Sequence, residues 1–161
     1  MTDSSNPMAD QAEPFIKATL DTFRIMVHLK AIREETAFRD AGSLTNDFSG
    51  IIGMTGGAEG SVTLRFPRVT AKAVACSFLG EEIVSDTLVA DTIGEIANII
   101  TGYAKKDMPE MEVNISLPTV ITGARHEIIT HGDARKSVTF FTCSQGRFSL
   151  EVYLESLPQF L

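Results

Sequence analysis

Residues 85–117 of the sequence are SDTLVADTIGEIANIITGYAKKDMPEMEVNISL, and they combine a helical pattern with a strand pattern. In the first two thirds of this stretch the apolar residues return every three or four positions, which is the period of an amphipathic helix. Ser85 or Asp86 can cap the start of this helix, and Pro109 stops it from continuing. In the last third the period changes to two, which is the period of a β-strand. A long helix followed at once by a strand therefore begins the second half of the chain.

The sequence on either side predicts further helices and strands. The predicted elements are a first helix with Ile16, Leu20, Phe23 and Val27 on its buried stripe, a hairpin over Phe48–Phe66 that turns at Gly56 and Gly57, a helix over Pro67–Leu79, a strand over Glu112–Leu117, and two or three strands around Ile128, Val138–Cys143 and Phe148–Leu154. The order is helix, hairpin, two helices and a run of strands. This order predicts an α+β fold, with helices packed on a largely antiparallel sheet.

Length and composition are those of one ordinary globular domain. The chain has 161 residues, of which 43% are hydrophobic and 22% are charged. This is enough for one domain with a real core and too little for two of usual size. The first residues, 1–11, are polar, and we expect them to be a disordered lead-in. We expect residues 12–161 to form the single domain.

Charge and targeting signals narrow the class of function. The net charge is −7, and an acidic surface repels phosphate backbones and anionic lipid, so neither nucleic acid nor membrane is an expected partner. No apolar run approaches the roughly 20 residues that span a bilayer. The polar start resembles neither a signal peptide nor a transit peptide, so we expect a cytoplasmic protein. Cys76 and Cys143 are therefore expected to be reduced and buried.

The two faces of the long helix carry different kinds of residue. Its predicted apolar face consists of Leu88, Val89, Ile93, Ile96, Ile100 and Tyr103. Asp91, Glu95, Asn98 and Gly102 share the opposite face, because they are spaced four, three and four residues apart; we call these four residues the polar line. A purely solvated helix face is one interpretation. A binding face is the other, because the polar line has a glycine and no lysine or arginine between its ends.

The sequence around the polar line resembles a known family. After Asp91 come three residues, Glu95, two residues, Asn98 and, some twenty positions on, Pro118. This pattern is similar to that of CheX-like members of the CheC/CheX/FliY family of bacterial chemotaxis phosphatases. The gap from Asn98 to Pro118 is slightly shorter than is usual there. Further similar segments are Ser116–Ile121, Gly60–Pro67, Leu79–Glu82 and Gly146–Glu155, so that the resemblance covers most of the chain from about Phe15.

The resemblance implies a protein aspartyl-phosphate phosphatase that acts on a phosphorylated CheY-like receiver domain. It implies that Glu95 pairs with a lysine of the receiver and that Asn98 orients the attacking water, while Asp91 and Gly102 complete the binding face. The Mg²⁺ ion and the phosphorylated aspartate belong to the receiver, so no cofactor of its own is expected. The first helix lacks the corresponding asparagine, so one site per chain is expected. Relatives of this type pair through their sheets, which implies a homodimer.

The sequence is also compatible with other functions and other candidate sites. The same fold serves in non-catalytic modules, which bind a receiver domain or build the flagellar switch. His126, His131 and Asp133 are conceivable metal ligands, although surface residues are the simpler interpretation because no third strong ligand is evident. The glycines between Gly53 and Gly60 fit a hairpin turn better than a phosphate-binding loop, because the chain has no GK[ST] sequence.

Overall fold

The computed structural model describes residues 7–38, 45–129 and 136–157. In chain order the elements are α1 (Pro7–Thr22) with a π-helical turn (Phe23–Val27), β1 (Ile32–Phe38), β2 (Phe48–Gly56), β3 (Ala58–Phe66), α2 (Arg68–Leu79), α3 (Asp86–Lys106), a 3₁₀ turn (Pro109–Met111), β4 (Val113–Ile115), β5 (Thr119–Thr122), β6 (Ser137–Cys143) and β7 (Gly146–Ser156).

The seven described strands form one antiparallel sheet. Its order is β1-β6-β7-β3-β2-β4, and β5 pairs with β2 alongside β4. The predicted hairpin is present as β2 and β3, and its turn at Gly56 has φ 106°, a conformation that favours glycine. The helices pack on one face of the sheet. The predicted α+β class, with helices on an antiparallel sheet, is confirmed.

Stacked phenylalanine rings hold the first helix to the sheet. The ring of Phe23, in the π-helical turn, lies 4.5 Å from that of Phe148 between centroids. Phe148 in turn stacks on Phe66 at 5.0 Å and on Phe141 at 5.1 Å. All four side chains are fully buried. Such rings bring large apolar areas into the core, and their stacking adds to the stability gained from burial.

The ends of α2 and α3 follow the signals in the sequence. Gly80 ends α2 in the left-handed conformation, with φ 68°, and donates its N–H to the carbonyl of Cys76. Ser85 caps α3, because its hydroxyl accepts the N–H of Leu88 at 3.2 Å. Both predicted boundaries are therefore confirmed to within one residue.

Four sequence-based expectations differ from the structure. Helix α1 begins at Pro7, inside the segment expected to be disordered. Strand β1 was not predicted, because it is a polar edge strand whose register shifts between Arg33 and Thr36 and hides the alternation. The strand expected over Glu112–Leu117 is shorter, β4 (Val113–Ile115), and a separate strand, β5, begins after Pro118, which has no N–H for a ladder. Ile128 lies in no strand.

Asp47 joins three segments just before β2. One carboxylate oxygen accepts the backbone N–H of Arg68 at the start of α2, at 2.8 Å, and the other accepts the N–H of Arg125 at 3.0 Å. The bond from Arg125 is the main reason that the pKa of Asp47 lies below its usual value, and burial opposes this shift in part. The ionised carboxylate therefore ties α2 and the connection after β5 to β2.

We predict that Asp47→Asn destabilises the fold at neutral pH by about 1–3 kcal/mol, because a carboxamide has one acceptor oxygen for two N–H donors. A folded-state pKa below the unfolded value means that the charge stabilises above the ordinary pKa of 3.8, and that this contribution disappears as the pH falls through the folded pKa. Urea unfolding at several pH values should show that the free energies of unfolding of the wild type and the variant approach each other below about pH 4. A constant difference from pH 7 to pH 3 would contradict this role of the charge.

Candidate functional site

Helix α3 lies very close to the sheet where it crosses β2. A Cβ atom on Gly50 would lie 3.1 Å from the carbonyl oxygen of Ile93 and 3.2 Å from the Cβ of Ala97. A larger residue at position 50 would therefore push the helix outward. Ile93 and Ala97 are fully buried, together with Ile100. This packing fixes the rotation of α3 about its axis and thus the direction of its outer face.

The polar line lies on that outer face. Asp91 and Glu95 are exposed, while Asn98 and Gly102 are partly buried. Among the residues that the structure describes, none forms a hydrogen bond or ion pair with the side chains of Asp91, Glu95 or Asn98. A Cβ atom on Gly102 would have no neighbour within 4 Å, so the fold itself does not require glycine there. The polar groups of this face are free to bind another molecule.

The predicted apolar face of α3 is narrower than the sequence indicated. Val89, Ile93, Ile96 and Ile100 are fully buried, but Leu88 is 38% exposed and Tyr103 is 46% exposed. Both lie at the border of the buried stripe, and the Tyr103 ring packs under the ammonium group of Lys106 at 5.2 Å. These two side chains therefore flank the polar line on one side of the helix.

On the other flank lies the turn between β4 and β5, residues Ser116–Thr119, which we call the β4–β5 corner. Gly94 is buried here, and a Cβ on it would lie 2.9 Å from the Val120 side chain and 3.4 Å from the Cβ of Pro118. Leu117, in the same corner, is 87% exposed. Pro118 follows directly after the strand predicted over Glu112–Leu117, and the only signal in the sequence for its contact with α3 is a glycine inside a helix.

A cleft of about 740 Å³ opens beside the first half of α3. Asp47, Arg68, Asp86 and Asp91 supply its charged groups, and Val120 and other residues of β5 and its following turn form the opposite side. Arg68 pairs with Asp86 at 2.5 Å, and this hydrogen bond is the main reason that the pKa of Asp86 lies below its usual value. The cleft shares Asp91 with the polar line, so the two surfaces are continuous.

Comparison with known proteins shows which family the chain belongs to. Residues 48–142, more than half of the chain, match the profile of the family described as Chemotaxis phosphatase CheX. The chain belongs to the CheX family. The matched region contains the whole polar line, Pro118 and every residue that lines the cleft except Asp47, and it leaves out α1, β1 and β7. The candidate site therefore lies inside the part of the chain that defines the family.

Individual CheX proteins are similar in sequence and fold. The CheY-P phosphatase CheX of Thermotoga maritima is 34% identical over 86 residues, which are 51% of this chain and 56% of that protein. The crystal structure of the chemotaxis protein CheX from Desulfovibrio desulfuricans is 28% identical, with a TM-score of 0.81 over 91% of this chain and 99% of that one. The CheX–CheY–BeF3–Mg²⁺ complex from Borrelia burgdorferi contains a chain of the same fold, with 24% identity and a TM-score of 0.79 over 91% and 99% of the two chains.

The other candidate residues of this CheX-family chain have structural explanations where the structure describes them. His126 is hydrogen-bonded through Nε2 to the Ser49 hydroxyl at 2.7 Å and through Nδ1 to the Gly123 carbonyl at 3.0 Å. His131 and Asp133 lie outside the described residues. Over residues 7–38, 45–129 and 136–157, no three His, Cys, Asp or Glu side chains are grouped as a metal site requires.

Two further expectations concern the cysteines and the membrane. Both cysteines are free, as predicted; Cys143 is buried, but Cys76 is only partly buried. Its thiol lies 3.6 Å from the carbonyl oxygen of Glu82 in the loop after α2. No helix in the described part of the chain is long and apolar enough to cross a membrane.

Proposed function

We propose that this CheX-family protein hydrolyses the aspartyl phosphate of a CheY-like receiver domain, with Asn98 orienting the attacking water and Glu95 docking the receiver. The observation that carries the proposal is the polar line, whose carboxylates and carboxamide have no partner among the described residues and whose position is fixed by the packing of α3. The name of the Thermotoga relative, CheY-P phosphatase, supports the same substrate class.

Docking through Glu95 follows from charge. Asp91 and Glu95 are the only ionisable residues from Asp91 to Gly102, and both are exposed. Lysine and arginine are absent from this part of the helix, so its outer face attracts cations. A receiver that presents a lysine beside its phosphorylated aspartate would place that lysine against Glu95. Such complementary charges fix the orientation of an encounter and raise its rate more than its affinity.

Hydrolysis of the aspartyl phosphate requires only one polar group from this chain. In the hydrolysis, a water oxygen bonds to phosphorus as the bond from phosphorus to the aspartyl oxygen breaks, and the electron pair of that bond leaves with the receiver carboxylate. The protons of the water stay with the released inorganic phosphate and the surrounding water. The Asn98 carboxamide has no titratable proton, so it would act by holding the water in line through hydrogen bonds.

Charge stabilisation in phosphoryl transfer comes from cations around the phosphoryl group. In our proposal the receiver supplies its Mg²⁺ and its lysine, and this chain supplies no cofactor of its own. The proposal therefore requires only that a carboxamide enter the receiver's active site at a fixed distance from a docking carboxylate. Glu95 and Asn98, three residues apart on one helix, meet that requirement.

Substitutions of Asn98 and of Glu95 should change different kinetic parameters. Asn98→Ala should lower the single-turnover rate, measured with the phosphatase in saturating excess over the receiver, by roughly 10²-fold, the usual effect of losing one oriented polar group. The KM for the phosphorylated receiver should change little. Glu95→Gln should mainly raise the KM, and Glu95→Lys should raise it further through like-charge repulsion.

Thermal unfolding of the three variants provides the control, because both positions lie outside the core and the fold should be unchanged. A near wild-type single-turnover rate for Asn98→Ala would exclude its catalytic role. A Glu95→Lys variant that binds the phosphorylated receiver as tightly as the wild type in calorimetry would exclude docking through Glu95.

We further propose a homodimer whose sheet continues across the interface. The described sheet ends in β1 on one side and in β4 and β5 on the other, and unpaired edges favour pairing with a second copy about a two-fold axis. Pairing through β1 keeps α3 free, because β1 lies at the far end of the sheet. Sedimentation equilibrium at micromolar concentration should therefore give twice the chain mass of 17.5 kDa. A single species at the monomer mass would contradict the dimer and leave the phosphatase proposal intact.

A further inference from the structure

We propose that the β4–β5 corner is the second half of the receiver-docking surface and that Leu117 is its apolar anchor. This inference rests on the proposed function, because it takes the occupant to be the same receiver domain that meets Glu95 and Asn98. It adds a residue outside α3 and a second kind of contact to the site.

The corner is held rigidly on both sides. Ser116 donates its N–H to the Gly53 carbonyl at 2.9 Å, and its hydroxyl oxygen accepts the Gly53 N–H at 2.9 Å. The same hydroxyl donates to the carbonyl of Leu117 at 2.9 Å. On the other side, Pro118 and Val120 contact α3 at Gly94. Leu117 is therefore presented on a fixed backbone, which lowers the entropy lost when a partner covers its side chain.

The corner that carries Leu117 packs on α3 one helical turn from Asn98. Gly94 and Asn98 are four residues apart and therefore lie one above the other on the same flank of α3. Pro118 packs on Gly94, so the corner stands beside the helix one turn from Asn98. A domain that covers Glu95 and places its active site over Asn98 would also meet this corner.

The affinity for the receiver should depend on an apolar contact in addition to the ion pair at Glu95. An ion pair between exposed side chains contributes little affinity, and the apolar side chains that α3 offers beside the polar line, Leu88 and Tyr103, are only 38% and 46% exposed. Most of the binding energy of an interface comes from a few residues near its centre that become fully desolvated, and burying a leucine side chain adds to it through the hydrophobic effect. Leu117 is 87% exposed, and the fold gains almost nothing from its side chain. Single exposed leucines are common; this one is distinguished by its rigid backbone and its position beside the polar line.

The occupant is thus a receiver surface with a lysine next to an apolar depression. Its affinity can be measured on the Asn98→Ala background, in which the proposed catalysis no longer removes the phosphoryl group. On that background Leu117→Ser should raise the Kd for the phosphorylated receiver by about tenfold or more, as expected for losing the burial of a leucine side chain. Leu117→Met, which keeps a large apolar side chain, should retain most of the affinity.

Ile129→Ser is the matched control. Ile129 is 91% exposed and lies in a loop on the connection after β5. That connection is bound at His126 to Ser49, whose side chain is on the face of the sheet away from the helices. This substitution removes an apolar side chain of the same size and should leave the Kd unchanged. Unfolding midpoints of the serine variants should match the parent.

The outcomes separate the two proposals. Equal Kd values for Leu117→Ser and Ile129→Ser would overturn the anchor, whatever the phosphatase activity. If Leu117→Ser raises the Kd tenfold but the wild-type protein releases no phosphate from the receiver, Leu117 is confirmed as an anchor and the catalytic role is rejected. If the Asn98→Ala parent does not bind the phosphorylated receiver at all, and the wild type does not dephosphorylate it, both proposals are wrong.

Discussion

The contact of α3 with the sheet at Gly50 and with the β4–β5 corner at Gly94 determines the geometry of the surface that we propose to be functional. At Gly50 the helix backbone lies within 3.1 Å of where a Cβ would stand, and at Gly94 the distance to the Val120 side chain would be 2.9 Å. Side chains at these positions would move the helix from the sheet or the corner from the helix. The absence of two Cβ atoms thus sets the direction of the polar line and the position of Leu117 beside it.

In our proposal this rigidity is what lets the chain assist hydrolysis, although the described residues hold no group of His, Cys, Asp and Glu side chains suited to a metal. The helper need only hold one carboxamide and one carboxylate at a fixed separation and let the partner approach closely. About one turn of a helix packed on a sheet provides that separation between Glu95 and Asn98, and Gly102 leaves open space at the end of the polar line. A non-catalytic receiver-binding or switch-like module would use the same docking face, so the rival functions differ in what Asn98 does after docking.

The sequence predicted the elements whose signals are local. The 3.6-residue period and the serine cap defined α3, and the Gly56–Gly57 turn defined the β2–β3 hairpin. It could not predict what depends on tertiary contacts. Strand β1 is polar and irregular, yet it is kept in the sheet by partners far along the chain, such as the ion pair of Glu34 with Arg147 at 2.7 Å. The contact of Pro118 with Gly94 likewise joins residues that only the fold brings together.

The central claim is catalysis, and the most direct measurement is turnover. A receiver domain carrying a radiolabelled aspartyl phosphate should be mixed with the wild-type protein at about one hundredth of its concentration, with Mg²⁺ present, and inorganic phosphate should be followed with time. A catalyst dephosphorylates many receivers per copy, so the account predicts complete loss of label much faster than spontaneous decay, at a rate proportional to the protein added. A rate equal to spontaneous decay, or a burst that stops after one phosphate per copy, would contradict it.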